Sequence, residues 1–132
     1  MKKIKFRAWD KENDFMFYSE NNYPISKYNL GFDFMGRNEF RLMMLIDIEE
    51  SLFKEVDADI MQYTGFKDMD DREIYEGDIL DYGAYGEFEV VWCKGAFKIR
   101  KIDFQNANLH LLSSCYFDEL EVIGNIYETQ SC

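Results

Sequence analysis

Carboxylates dominate the side chains here that could do chemistry. Asp68-Met69-Asp70-Asp71-Arg72-Glu73 places four acids in six positions, the density a calcium loop would use. A helix-loop-helix calcium loop starting at Asp68 requires Gly at its sixth position and Glu at its twelfth. This chain has Glu73 and Ile79 there, so the pattern fails twice. The segment reads as a solvated acidic turn, with Asp68, Asp70 and Glu73 as weak candidates for adventitious Ca²⁺ or Mg²⁺ ligands. Just beyond it, Glu76-Gly77-Asp78 offers paired carboxylates. General acid–base catalysis needs two such groups in a cleft that separates their pKa values. The plainer reading is a turn in which Gly77 supplies a permissive backbone and Asp78 caps the entry to the next strand.

Nucleophiles and metal ligands are sparse. His110 is the only histidine, and Cys93, Cys115 and Cys132 are widely spaced with no C-x-x-C. A zinc site would need Cys and carboxylate ligands at short spacing around that histidine. A Cys–His pair, with Cys115 or Cys93 beside His110, is formally available but has no recognisable signature. Gly83-Ala84-Tyr85-Gly86 is not followed by the Lys-Ser/Thr of a phosphate loop, and no serine sits in a G-x-S-x-G elbow. Neither a catalytic residue nor a cofactor is expected. The odd number of cysteines suits reduced thiols, with Cys93 and Cys115 packing as small apolar groups.

These residues sit in a chain of 132 with formal net charge −11, 47% hydrophobic and 17% aromatic. Residues 1–45 carry net +2, residues 46–90 net −12, and residues 91–132 net −1. A field so concentrated repels phosphate backbones, which disfavours nucleic acid as a partner. The exception would be a single strand bound by Lys3, Lys5 and Arg7, the basic side of the opening segment. No apolar run reaches the roughly 18 residues of a membrane span. The opening residues are basic but lack the apolar region of a signal peptide, so the cytoplasm is the expected address. Trp9, Tyr63, Tyr75, Trp92 and Tyr127 fall at strand ends or beside glycine turns. With Glu76 and Asp78 they form a candidate interaction surface, although core and rim packing is the commoner role of such aromatics.

The elements that must position these groups read as mainly β. Ile4, Phe6 and Ala8 alternate with Lys3, Lys5 and Arg7, a half-buried strand with a charged outer face. A polar turn over 10–14 and Phe15-Met16-Phe17-Tyr18 complete a hairpin. Residues 19–38, with the only Pro (Pro24), show no sustained period and read as an irregular excursion. Residues 39–48 alternate as a strand, although their Met and Leu also suit a helix. Glu50 to Val56 suits a short helix with Ser51 as its N-cap. From Ile60 onward, Gly65 marks a bulge or kink, short strands alternate with turns at 68–71, 76–78, 83–86 and 93–95, and 106–115 reads as loop with some helix. The expected fold is a single domain over 1–132: a mainly β (α+β) curled antiparallel sheet or partial barrel. It would carry one or two short helices and a variable insertion over about 19–59.

Three blocks resemble the YopX family, small proteins carried by bacteriophages and prophages. They are Lys5-Phe6-Arg7-Ala8-Trp9-Asp10; Met61-Gln62-Tyr63-Thr64-Gly65-Phe66-Lys67-Asp68 running on to Glu73-Ile74-Tyr75-Glu76-Gly77-Asp78-Ile79; and Glu121-Val122-Ile123-Gly124-Asn125-Ile126-Tyr127-Glu128. Members commonly carry Asn-Gly where this chain has Asp70-Asp71, which implies a different turn there. The resemblance implies a phage or prophage origin and self-association, and brings no catalytic or ligand-binding residues. The expected role is a non-catalytic accessory protein that binds a partner of basic surface through its acidic side. That side would even imitate nucleic acid toward a host protein. The competing reading is a metal-dependent hydrolase built on Asp68, Asp70, Glu73, Glu76 and Asp78.

Overall fold

A computed structural model describes residues 3–22, 27–32, 40–47, 49–50, 52–102 and 109–128. Among these, twelve antiparallel strands and four single-turn helices account for the regular structure, so the fold is mainly β. The contacts divide the chain into two compact units, Lys3–Gln62 and Tyr63 onward, each with its own core.

In the first unit, β1 (Phe6–Asp10) and β2 (Phe15–Tyr18) form the expected hairpin, paired from Arg7 with Tyr18 to Asp10 with Phe15. The turn is built by Asp10. Its buried carboxylate accepts the backbone N–H groups of Glu12 (2.9 Å) and Asn13 (3.1 Å) and the Asn13 side-chain amide (2.9 Å). The start of β6 (Ala58–Lys67) pairs with the other side of β1. Ala8, Phe17, Tyr28, Leu30, Leu42 and Val56 form the core.

The charged outer face expected of β1 is not there. Arg7 is only 3% exposed, and Met16 and Met61, which share its side of the sheet, are buried too. Both faces of this sheet are covered, so alternation no longer separates inside from outside. Lys5 is half-buried and pairs with Glu20 at 3.5 Å. The basic strip Lys3, Lys5, Arg7 is therefore no exposed stripe for a nucleic-acid backbone.

Within the stretch expected to be a variable insertion, β3 (Tyr28–Phe32), β4 (Phe40–Asp47) and β5 (Leu52–Val56) form an antiparallel sheet in that order. Of residues 39–48, Phe40–Asp47 are strand β4, and Glu39 and Ile48 lie outside the described residues. The helix expected over Glu50 to Val56 is instead strand β5. Helix propensity is a weak prior, and β4 offers a pairing edge that places Val56, which is buried, opposite Leu42. Ser51 and Pro24 lie outside the described residues.

The second unit is a curled five-stranded antiparallel sheet in the order β11-β10-β9-β8-β12. Its centre is a meander of β8 (Asp78–Asp81), β9 (Glu87–Cys93) and β10 (Ala96–Lys101). Lys94 (φ 51°) and Gly95 (φ 82°) join β9 to β10. Two left-handed central residues match the twist of the strands they connect. β11 is His110–Leu111 and β12 is Glu121–Asn125. β7 (Glu73–Tyr75) pairs with the end of β6 across a register shift between Tyr63 and Lys67. Gly65 (φ 91°) sits in that shift, and the Thr64 hydroxyl bridges it by donating to Ile74 O (2.7 Å) and accepting from Phe66 N (3.2 Å). Ile74, Leu80, Phe88, Val90, Ile99, Leu112 and Leu120 fill the core. The 106–115 stretch holds β11 and a single helical turn, Leu112–Ser114, among the described residues. No helix among the described residues is long and apolar enough to cross a membrane.

Candidate functional site

The acidic segment is architectural. Asp68 is 6% exposed, and its Oδ1 accepts the backbone N–H groups of Asp70 and Arg72, both at 2.9 Å. Its Oδ2 accepts the N–H of Val122 on β12 at 2.8 Å. Met69 N–H donates to Leu120 O, and Arg72 Nη1 to Val122 O, each at 2.9 Å. The outer edge of β12 is therefore closed by one turn, whose Asp68 and Arg72 side chains and Met69 amide take the place of a neighbouring strand. Asp71 (φ 66°) takes the left-handed conformation the turn requires.

Asp78 has the capping role expected of it. It is 2% exposed, and its Oδ2 accepts Tyr75 N–H at 2.8 Å across Gly77, whose φ is 87°. Gly77 N–H donates to Val90 O (2.8 Å) and its carbonyl accepts from Ile126 N–H (2.9 Å). Asn125, opposite Asp78, accepts the N–H groups of Tyr127 and Glu128, both at 2.9 Å. Asp70 is exposed, and Glu73 and Glu76 are half-buried. The five acids are not brought together: among the described residues, no group of three or more His, Cys, Asp or Glu side chains gathers to hold a metal ion.

The aromatic candidates scatter likewise. Tyr63 and Tyr75 are buried, with ring centroids 5.5 Å apart, and Trp9 and Tyr127 are half-buried. Only Trp92 is largely exposed, at 52%, standing edge-on to Phe97 at 4.8 Å near the β9–β10 turn. Packing explains most of this set.

The structure supplies a different site. A cleft of ≈230 Å³ opens in the second unit. Tyr82 and Tyr85 line it from the segment joining β8 to β9, Phe88 from β9, and Ile99 and His110 from the paired strands β10 and β11. Ser114 and Cys115, from the helical turn that follows, also line it. The Tyr82 ring lies 5.0 Å from Tyr85 at 52° and 6.1 Å from Phe88 at 69°, an aromatic corner. Tyr82 also accepts Tyr116 N–H at 2.9 Å through its hydroxyl.

Two of the polar side chains lining the cleft bond locally to one carbonyl. The Ser114 hydroxyl donates to Leu111 O at 2.8 Å, and the Cys115 thiol reaches the same carbonyl at 3.6 Å. Burial pushes the Cys115 pKa up, against a smaller lowering by the neighbouring Tyr82 hydroxyl. The thiol is thus held protonated, the opposite of what a nucleophile needs. His110 and Cys115 share the cleft, but not in the form of an activated pair. Sequence reasoning missed Tyr82, Tyr85, Phe88, Ile99 and Ser114. Their one local signal was the tyrosines flanking Gly83.

Fold and site together describe a small, mainly β protein whose conspicuous acids hold its turns. The chain belongs to the YopX family: the family model described as "YopX protein" matches residues 5–131. A similar solved structure is the crystal structure of protein EF1440 from Enterococcus faecalis. It is 26% identical, covers 97% of this chain and 96% of its own, and superposes with a TM-score of 0.59. No curated protein matches the chain.

Proposed function

We propose that this chain is a non-catalytic accessory protein of a phage or prophage, acting in the bacterial cytoplasm by docking onto a protein with a basic surface. The observation that carries this reading is the engagement of Asp68 and Asp78. Like Asp10, these buried acids are occupied by backbone N–H groups. Buried carboxylates used in this way stabilise turns and have few lone pairs left for a substrate. The acids that remain exposed, among them Asp70, Asp71 and Glu87, charge the surface without forming a chemical site.

Exposed apolar side chains support docking as the mode of action. Tyr85, Leu111 and Tyr116 project near the cleft in a chain of net charge −11. Aromatic anchors with a charged surround are the usual composition of a transient interface. Family membership supports the phage setting, and self-association is compatible with the same apolar residues. Affinity capture from host lysate tests the reading. Capture of a basic protein at low salt, lost as salt is raised, is the expected result. Nothing above background at low salt would count against it.

A further inference from the structure

The sheet formed by β3, β4 and β5 ends on β3, and a side chain occupies that edge. Asn22 Oδ1 accepts Leu30 N–H at 2.7 Å, and Asn22 Nδ2 donates to Leu30 O at 3.0 Å. A carboxamide carries an acceptor and a donor side by side. It thus reproduces the two bonds that a residue of a neighbouring antiparallel strand would exchange with Leu30.

Asn22 is one end of a short strap. It directly follows the single-turn helix Ser19–Asn21 and returns its own N–H to Ser19 O at 3.3 Å. At the other end, the Ser19 hydroxyl accepts Phe6 N–H at 3.2 Å, and Glu20 pairs with Lys5. The strap is tied to the start of β1 by Ser19 and Glu20, and to β3 by Asn22.

The composition of β3 explains the need for cover. Its sequence, Tyr28-Asn29-Leu30-Gly31-Phe32, holds no charged residue. The opposite edge, β5, carries Lys54 and Glu55. Charged side chains are a common means of keeping an edge strand from pairing with another chain. β3 is also self-complementary. Two copies paired antiparallel about Leu30 set Leu30 opposite Leu30, Tyr28 opposite Phe32 and Asn29 opposite Gly31, with no like charges opposed. The net charge of −11 otherwise keeps copies of the chain apart.

We infer that Asn22 is an edge guard: it holds the β3 edge in place of a second copy of this chain, and releasing it opens a site of antiparallel self-pairing. The device is the carboxamide itself, which satisfies Leu30 on both sides without extending the sheet.

Asn22→Ala in the full chain tests this by hydrogen exchange and light scattering. The Leu30 amide should exchange about two- to tenfold faster, the range one hydrogen bond contributes. The measured mass should rise with protein concentration more steeply than in wild type. Asn22→Asp keeps an acceptor for Leu30 N–H and lacks the donor to Leu30 O. It should fall between wild type and alanine, and it carries the same test if alanine prevents folding. Adding Asn29→Lys to either variant places a charge on β3 and should return the mass to that of wild type.

Wild-type mass in both Asn22 variants would overturn the inference, as would an unchanged exchange rate at Leu30. Association that persists with Asn29→Lys would also overturn it, because the pairing surface would then lie elsewhere than β3.

Discussion

The Asp68 carboxylate and the Val122 amide meet at 2.8 Å across 54 residues of chain. That contact joins the second and third blocks of the family resemblance. Asp68 builds its own turn and closes the edge of β12 with the same carboxylate. Exposed edges invite pairing with other chains, and proteins blunt them by such devices.

Asp68→Ala should destabilise the second unit by about 2–4 kcal/mol, since it leaves three N–H groups without a charge-assisted acceptor. Urea unfolding would measure the loss. Hydrogen exchange at the Val122 amide should accelerate with it.

Arg72→Ala should separate the edge from the turn. Arg72 is exposed, so stability should fall by only about 1 kcal/mol, while Val122 O loses its donor. The expected consequence is more self-association by light scattering at matched concentration. An unchanged mass would show that the edge has other protection.

Much of the fold was legible because its signals are local. The short strands β9 and β10, the bulge at Gly65 and the turns at Asp68–Asp71, Gly77 and Lys94–Gly95 depend on near neighbours. Arg7 was not legible, because alternation assumes one solvated face and both faces there are covered. β5 was lost to a local helix signal that the pairing edge of β4 overrides. The cleft could not be read at all. Tyr82, Ile99, His110 and Cys115 come together only after the meander and the following turn place them.

The β9–β10 turn offers a stabilising change. Lys94 adopts φ 51°, a conformation Asn tolerates better than Lys. Lys94→Asn should raise stability by about 0.5–1 kcal/mol, and Gly95→Ala should lower it by about 1–2 kcal/mol. Thermal or urea unfolding distinguishes the two directions.

Alkaline pH should weaken the fold. Burial raises the pKa of Cys115, and burial followed by the Asp10 charge raises that of Tyr28. Both groups are neutral when protonated. Their contribution is complete below the unfolded pKa values and is lost as pH rises through the folded ones. Stability measured from neutral pH upward should decline across the thiol and then the phenol range. Thiol labelling of Cys115 should be slower folded than unfolded at the same pH.

The buried acids Asp68 and Asp78 serve the backbone rather than a ligand. Titration with Mn²⁺, followed by paramagnetic broadening of the amide NMR signals, tests this. Weak, non-saturating broadening centred on exposed Asp70, Asp71 and Glu87 is the predicted result. Saturable broadening that converges on Asp68 and Asp78 would contradict it.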